Sequence, residues 1–189
     1  MIYGRKFLPI IISSLIFIIV IISFFIFRHQ EAVPTKLEFC ESLPDETKAT
    51  CNDVYRKCPN VTETGFWSCL ALGLVRMDIN AARRACEQIS IIESQKFCLA
   101  DAMSEINFTY AQEECNSIDK VDRKAFCLST ILKRRNPDLA MKECDAIIDQ
   151  DVANNCRALA IAAKDKERAK EYCEKIEDII IKENCLRSI

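Results

Sequence analysis

The chemistry open to this chain is concentrated in its cysteines, twelve among 189 residues. Thiols in such number either hold metal or are oxidised to one another, and a reducing compartment supports only the first. Zinc and iron–sulfur sites draw on close pairs such as CxxC, whereas the nearest two cysteines here, Cys51 and Cys58, stand seven apart. The only histidine is His29. No metal or other cofactor is therefore expected. Redox catalysis needs a thiolate favoured by positive surroundings, yet most of these cysteines adjoin Glu, Asp or an apolar residue. There is no Gly-rich phosphate loop and no serine or cysteine nucleophile with a histidine partner, so no catalytic residue is assigned and the chain is not read as an enzyme.

The cysteines are periodic. Cys86, Cys115, Cys144 and Cys173 are spaced by 29, and so are Cys98, Cys127, Cys156 and Cys185. A fixed period of this length marks a repeat architecture in which each unit buries its apolar face against its neighbours. The flanking residues sort the cysteines into two kinds. Cys40, Cys86, Cys115, Cys144 and Cys173 share one pattern, a polar residue next and an aliphatic one at the third place, as in Cys86-Glu87-Gln88-Ile89 and Cys144-Asp145-Ala146-Ile147, whereas Cys69, Cys98, Cys127 and Cys156 precede short apolar runs. Cys58 joins the first kind by position, and Cys51 and Cys185 the second.

Asp78, Asn107, Asn136 and Asp165 each lie eight residues before a cysteine of the first kind. Their side-chain oxygens suit a helix N-cap, where backbone amides lack partners. Pro137 follows Asn136 at the first helical position, where its missing N–H costs nothing. Within that helix Ala82, Cys86 and Ile89 recur at 29-residue intervals, and steps of four and three keep them on one stripe. The second helix repeats the logic with Cys98, Ala102 and Met103. A turn centred near Ile92 brings Cys86 level with Cys98, and the small alanine one turn away lets the helices approach to disulfide range. The expected pairs are Cys40–Cys51, Cys58–Cys69, Cys86–Cys98, Cys115–Cys127, Cys144–Cys156 and Cys173–Cys185. A rival scheme joins Cys98 to Cys115 and so on across hairpins, leaving end cysteines unpaired or irregularly joined. Only six residues separate Cys51 from Cys58, so the first two units are expected to share one helix.

The hairpin plan, with alanines at close helix contacts, resembles the tetratricopeptide and Sel1-like repeats over residues 39–189. The period is 29 rather than the 34 or more of those families, and their Trp-Leu-Gly-Tyr pattern is absent. The resemblance implies an architecture of stacked helix pairs and, by analogy alone, a groove for a protein ligand.

Ahead of the repeats, Phe7 to Phe27 is an uninterrupted uncharged and mostly apolar run, long enough as a helix to span a hydrocarbon core of about 30 Å. It ends in Phe24-Phe25-Ile26-Phe27-Arg28 without small residues for cleavage, which favours an uncleaved signal anchor; a cleaved signal is the alternative. Arg5 and Lys6 place the N-terminus on the cytoplasmic side and the repeats outside. Residues 29–189 hold all 28 acids and, with Arg5, Lys6 and Arg28 left out, 23 of the 26 bases. That net charge of about −5 argues against nucleic acid as partner.

The expected fold is thus all-α: a transmembrane anchor over 1–28, a juxtamembrane linker over 29–38, and a six-unit disulfide-stapled α-solenoid of helical hairpins over 39–189. The expected function is a membrane-anchored extracytoplasmic scaffold for protein–protein interaction. A thiol redox or oxidant-buffering protein and a self-associating structural envelope protein are the alternatives. Two sequons, Asn60-Val61-Thr62 and Asn107-Phe108-Thr109, make Asn60 and Asn107 candidate glycosylation sites, the second in competition with its capping role. Phe66-Trp67 reads either as an exposed anchor for a partner or as packing. The basic groups at Arg83-Arg84 and Lys133-Arg134-Arg135 read as solvated helix faces.

Overall fold

The computed structural model describes residues 36–58 and 62–189, and the apolar run Phe7–Phe27 and the sequon residue Asn60 lie outside them. Phe39–Ile189 is one compact unit. The described residues are all-α. The helices are α1 (Lys36–Glu41), α2 (Asp45–Lys57), α3 (Glu63–Leu74), α4 (Ile79–Glu87), α5 (Ile92–Met103), α6 (Phe108–Asn116), α7 (Val121–Leu132), α8 (Pro137–Glu143), α9 (Gln150–Ile161), α10 (Lys166–Glu174) and α11 (Ile179–Ser188), with a 3₁₀ turn over Cys144–Ala146.

The starts of six helices are set by a side-chain carboxylate or amide, whereas α2, α5 and α7 open without a side-chain cap. Asp78, Asn107, Asn136 and Asp165 accept the N–H of Ala81, Tyr110, Leu139 and Arg168 at 2.9 to 3.0 Å, opening α4, α6, α8 and α10. Pro137 is the first residue of α8. Asp149 and Asp178 each accept two amides to open α9 and α11.

All six cysteine pairs expected within hairpins are at disulfide distance, with Cα atoms 5.5 to 6.3 Å apart, and no pair joins one hairpin to the next. Ala82, Ala111, Ala140 and Ala169, one turn before the first-helix cysteines, are at most 1% exposed. With no side chain beyond Cβ there, backbones approach closely enough for the cross-link.

The turn, however, is not centred near Ile92. It occupies 88–91, and Ile92 already opens α5. Cys86 therefore sits at the end of a short helix while Cys98 lies six residues into a longer one. The cause is the burial of Ile89, which is 4% exposed: its N–H returns to the Cys86 carbonyl, and the chain turns inward and ends α4 right after the cysteine. In consequence α5 packs more extensively against α6, the first helix of the next unit, than against α4. The disulfide fastens the less extensive of these two junctions.

The N-terminal end departs from the rule as expected: α2 carries Cys51, and Cys58 is its C-cap. Here the chain at Gly73 passes so near α2 that a Cβ would stand 2.6 Å from both Val54 methyl carbons. Phe66 and Trp67, weighed as an exposed anchor or as packing, are only 2% and 1% exposed. Trp67 meets Phe39 and Phe66 edge to face at 5.3 and 5.1 Å between ring centroids. Large rings here pack together with the buried Cys40, Cys51, Cys58 and Ala71.

Candidate functional site

Residues one period apart lie side by side on successive second helices, and this register builds the surface with the most chemical character. The second residue of α5, α7 and α9 is always an acid: Glu93, Asp122 and Asp151. Each reaches the next unit. Glu93 pairs with Lys120 and Arg123 at 3.4 and 2.8 Å. Asp122 accepts the Ile148 N–H at 3.0 Å, and Asp151 accepts the N–H groups of Glu177 and Asp178, both at 2.9 Å. A carboxylate facing two backbone amides is held in one orientation.

The amides of Glu177 and Asp178 hold the Asp151 carboxyl below the ordinary carboxylate range. A folded-state pKa below the unfolded one contributes stability above the unfolded value and loses it as pH falls through the folded value. Asp151→Asn is therefore expected to lower the thermal midpoint at pH 7, with the gap to the parent chain closing below about pH 4. Melts across pH 2 to 7 check this; a gap that stays constant down to the acid limit would contradict it.

Between these acids and the next turns runs a groove of about 760 Å³. Its floor is Phe97 and Phe126, one period apart, half-buried and with ring centroids 6.0 Å apart. Val121, Ile148 and Val152 continue the apolar lining, and the charges on its walls are Glu93, Lys120, Asp122, Arg123 and Asp149. Val121 is 57% exposed and Ile148 80%. At the same register as Val121, Ile92 and Ile179 are also exposed, while the unit between Val121 and Ile179 presents Gln150. A groove with an aromatic floor and exposed aliphatic side chains, rimmed by charges already engaged within the protein, is the composition of a recognition surface.

The opposite edge, at the turns between units, is polar. Glu105 pairs with Arg76 at 2.7 Å and with Arg134, so residues one period apart form an ion ladder. Arg135 lies 4.6 Å over the Phe108 ring and Arg83 5.6 Å over Tyr110. Of the basic groups read as solvated, Arg83 and Arg84 are exposed, but Arg83, Arg134 and Arg135 also cover neighbouring units. A smaller cavity of about 300 Å³ lies here, where burial pushes the Asp101 carboxyl up against the opposing pull of Lys133 and Arg134.

Of the residues singled out in the sequence, the cysteines are structural: eleven are at most 3% exposed and Cys69 is half-buried. Asn107 is an exposed helix cap. The resemblance to helical-hairpin repeats implies a groove by analogy but names none of the residues that line it. The signal for those residues was present in the 29-residue recurrence of Glu93 with Asp122 and Asp151, and of Phe97 with Phe126. Among the described residues there is no cluster suited to a metal ion, and no helix is long and apolar enough to cross a membrane. Compared with known family models, curated proteins and solved structures, the chain matches none.

Proposed function

We propose that the chain is a membrane-anchored, extracytoplasmic α-solenoid that receives an apolar segment of another protein in the groove over Phe97 and Phe126. The observation that carries this reading is the groove, with Phe97 and Phe126 as its floor and with Val121 and Ile148 left exposed along it. Six cross-links support residence in an oxidising compartment. The apolar run Phe7–Phe27 supports an anchor. The resemblance to tetratricopeptide and Sel1-like repeats supports a scaffold rather than a catalyst. A thiol-buffering role needs accessible free thiols, and none of the twelve cysteines stands unpaired.

The test is site-specific photo-cross-linking with the full chain in its native membrane. A photoreactive residue at Val121, in the groove, is expected to trap one discrete protein, and one at Gln112, exposed on α6, is not. Phe97→Ala is expected to weaken that capture about 30-fold, the effect of losing an aromatic anchor worth about 2 kcal/mol. Equal capture from both positions, or none from Val121, would remove the groove from consideration.

A further inference from the structure

We infer that Asn107 is an N-glycosylation site and that it carries its glycan while continuing to cap α6. The inference rests on the extracytoplasmic placement of the repeats proposed above. In the sequence, capping and modification compete for one side chain. The geometry separates them by atom. The cap uses only Oδ1, which accepts the Tyr110 N–H at 3.0 Å. Glycosylation uses Nδ2, which has no hydrogen-bond partner among the described residues, and both Asn107 and Thr109 are exposed.

The transfer draws on a lipid-diphosphate-linked oligosaccharide. Nδ2 forms a bond to the anomeric carbon as the bond from that carbon to the diphosphate oxygen breaks. The lipid diphosphate leaves with the bonding electrons, and Nδ2 gives up one proton. The product is a secondary amide whose carbonyl oxygen still accepts, so the helix start survives.

The other caps at this register cannot serve. Asp78 and Asp165 lack the amide nitrogen, and Asn136 is followed by Pro137 and by Asp138 where a hydroxyl residue is needed. The position also leaves the groove clear. Phe97 and Glu93 belong to the first half of α5, whereas Asn107 follows its far end, and a twelve-residue helix is about 18 Å long. A glycan would stand on the polar edge.

The test uses the full chain with Asn60→Gln, which removes the other sequon, expressed in cells that fully glycosylate a co-expressed secreted reporter. Mass mapping with and without an amide-cleaving glycosidase is expected to find a single glycan, at Asn107. Asn107→Asp keeps the cap chemistry that Asp78 and Asp165 use but deletes Nδ2, and Thr109→Ala leaves the cap untouched. Both are expected to lose the glycan completely while forming all six disulfides. A bare Asn107 overturns the inference. Counting free thiols on the same unreduced protein then shows how far the failure extends, since paired cysteines leave the extracytoplasmic reading standing and free ones take it down as well.

Discussion

Reducing the six disulfides and alkylating the thiols will unfold residues 39–189 at neutral pH and room temperature. The paired cysteines are 11 or 12 residues apart in sequence, and closing a loop of that size removes about 3 kcal/mol of chain entropy from the unfolded state. Six such links together exceed the whole net stability of an ordinary domain, about 5 to 15 kcal/mol. The packing between the linked helices does not make up the loss, because α4 meets α5 less extensively than α5 meets α6. Eleven of the twelve sulfurs occupy sites at most 3% exposed, with no room for an alkyl group. Removing a single pair, Cys115→Ala with Cys127→Ala, is expected to cost about 2 to 5 kcal/mol. In a domain of this size that lowers the thermal midpoint by roughly 4 to 20 °C. Far-UV circular dichroism before and after alkylation, and melts of the double variant, check both statements. Cooperative native-like unfolding of fully alkylated protein would show that packing alone sustains the repeats.

The second large effect is expected at Trp67. Its ring is 1% exposed and sits edge to face against Phe39 and Phe66 where the N-terminal helices meet. Trp67→Ala should destabilise the domain by about 3 to 5 kcal/mol, the usual cost of emptying a buried aromatic site. Trp67→Phe is a sharper test. The indole Nε1–H is buried with no acceptor among the described residues, and an unmade buried hydrogen bond costs about 1 to 3 kcal/mol. Phenylalanine removes that donor and keeps a ring beside Phe39, so the volume loss and the relieved donor oppose each other. The net change is expected within about 1 kcal/mol of the parent chain. Urea unfolding followed by circular dichroism measures both. If the two substitutions prove equally damaging, the indole volume outweighs the unpaired N–H.

How much could be read in advance depends on the range of the interactions involved. The caps at Asp78, Asn107, Asn136 and Asp165 were legible because a cap is made with an amide three residues on. The location of the turn was misplaced because the burial of Ile89, which ends α4, is a tertiary event. The periodic spacing of the cysteines assumed a turn midway between them, whereas the short first helix puts it next to Cys86. Phe66 and Trp67 could not be assigned from sequence to interior or surface, since nothing local distinguishes a packed ring from a displayed one.

The amino-acid sequence on its own determined the 29-residue period and the capped starts of α4, α6, α8 and α10, while leaving two pairing schemes open for the cysteines, of which the structure brings the within-hairpin one to disulfide distance. A cap is set within one unit, whereas the choice between pairing within and across hairpins is not. Only the tertiary structure decided that Phe97 comes beside Phe126, that Asp151 reaches the amides of Glu177 and Asp178, and that Asn107 keeps Nδ2 free. The first two are contacts between units, governed by how one unit stacks on the next, and the third is a choice between two atoms of one side chain that the order of residues does not express.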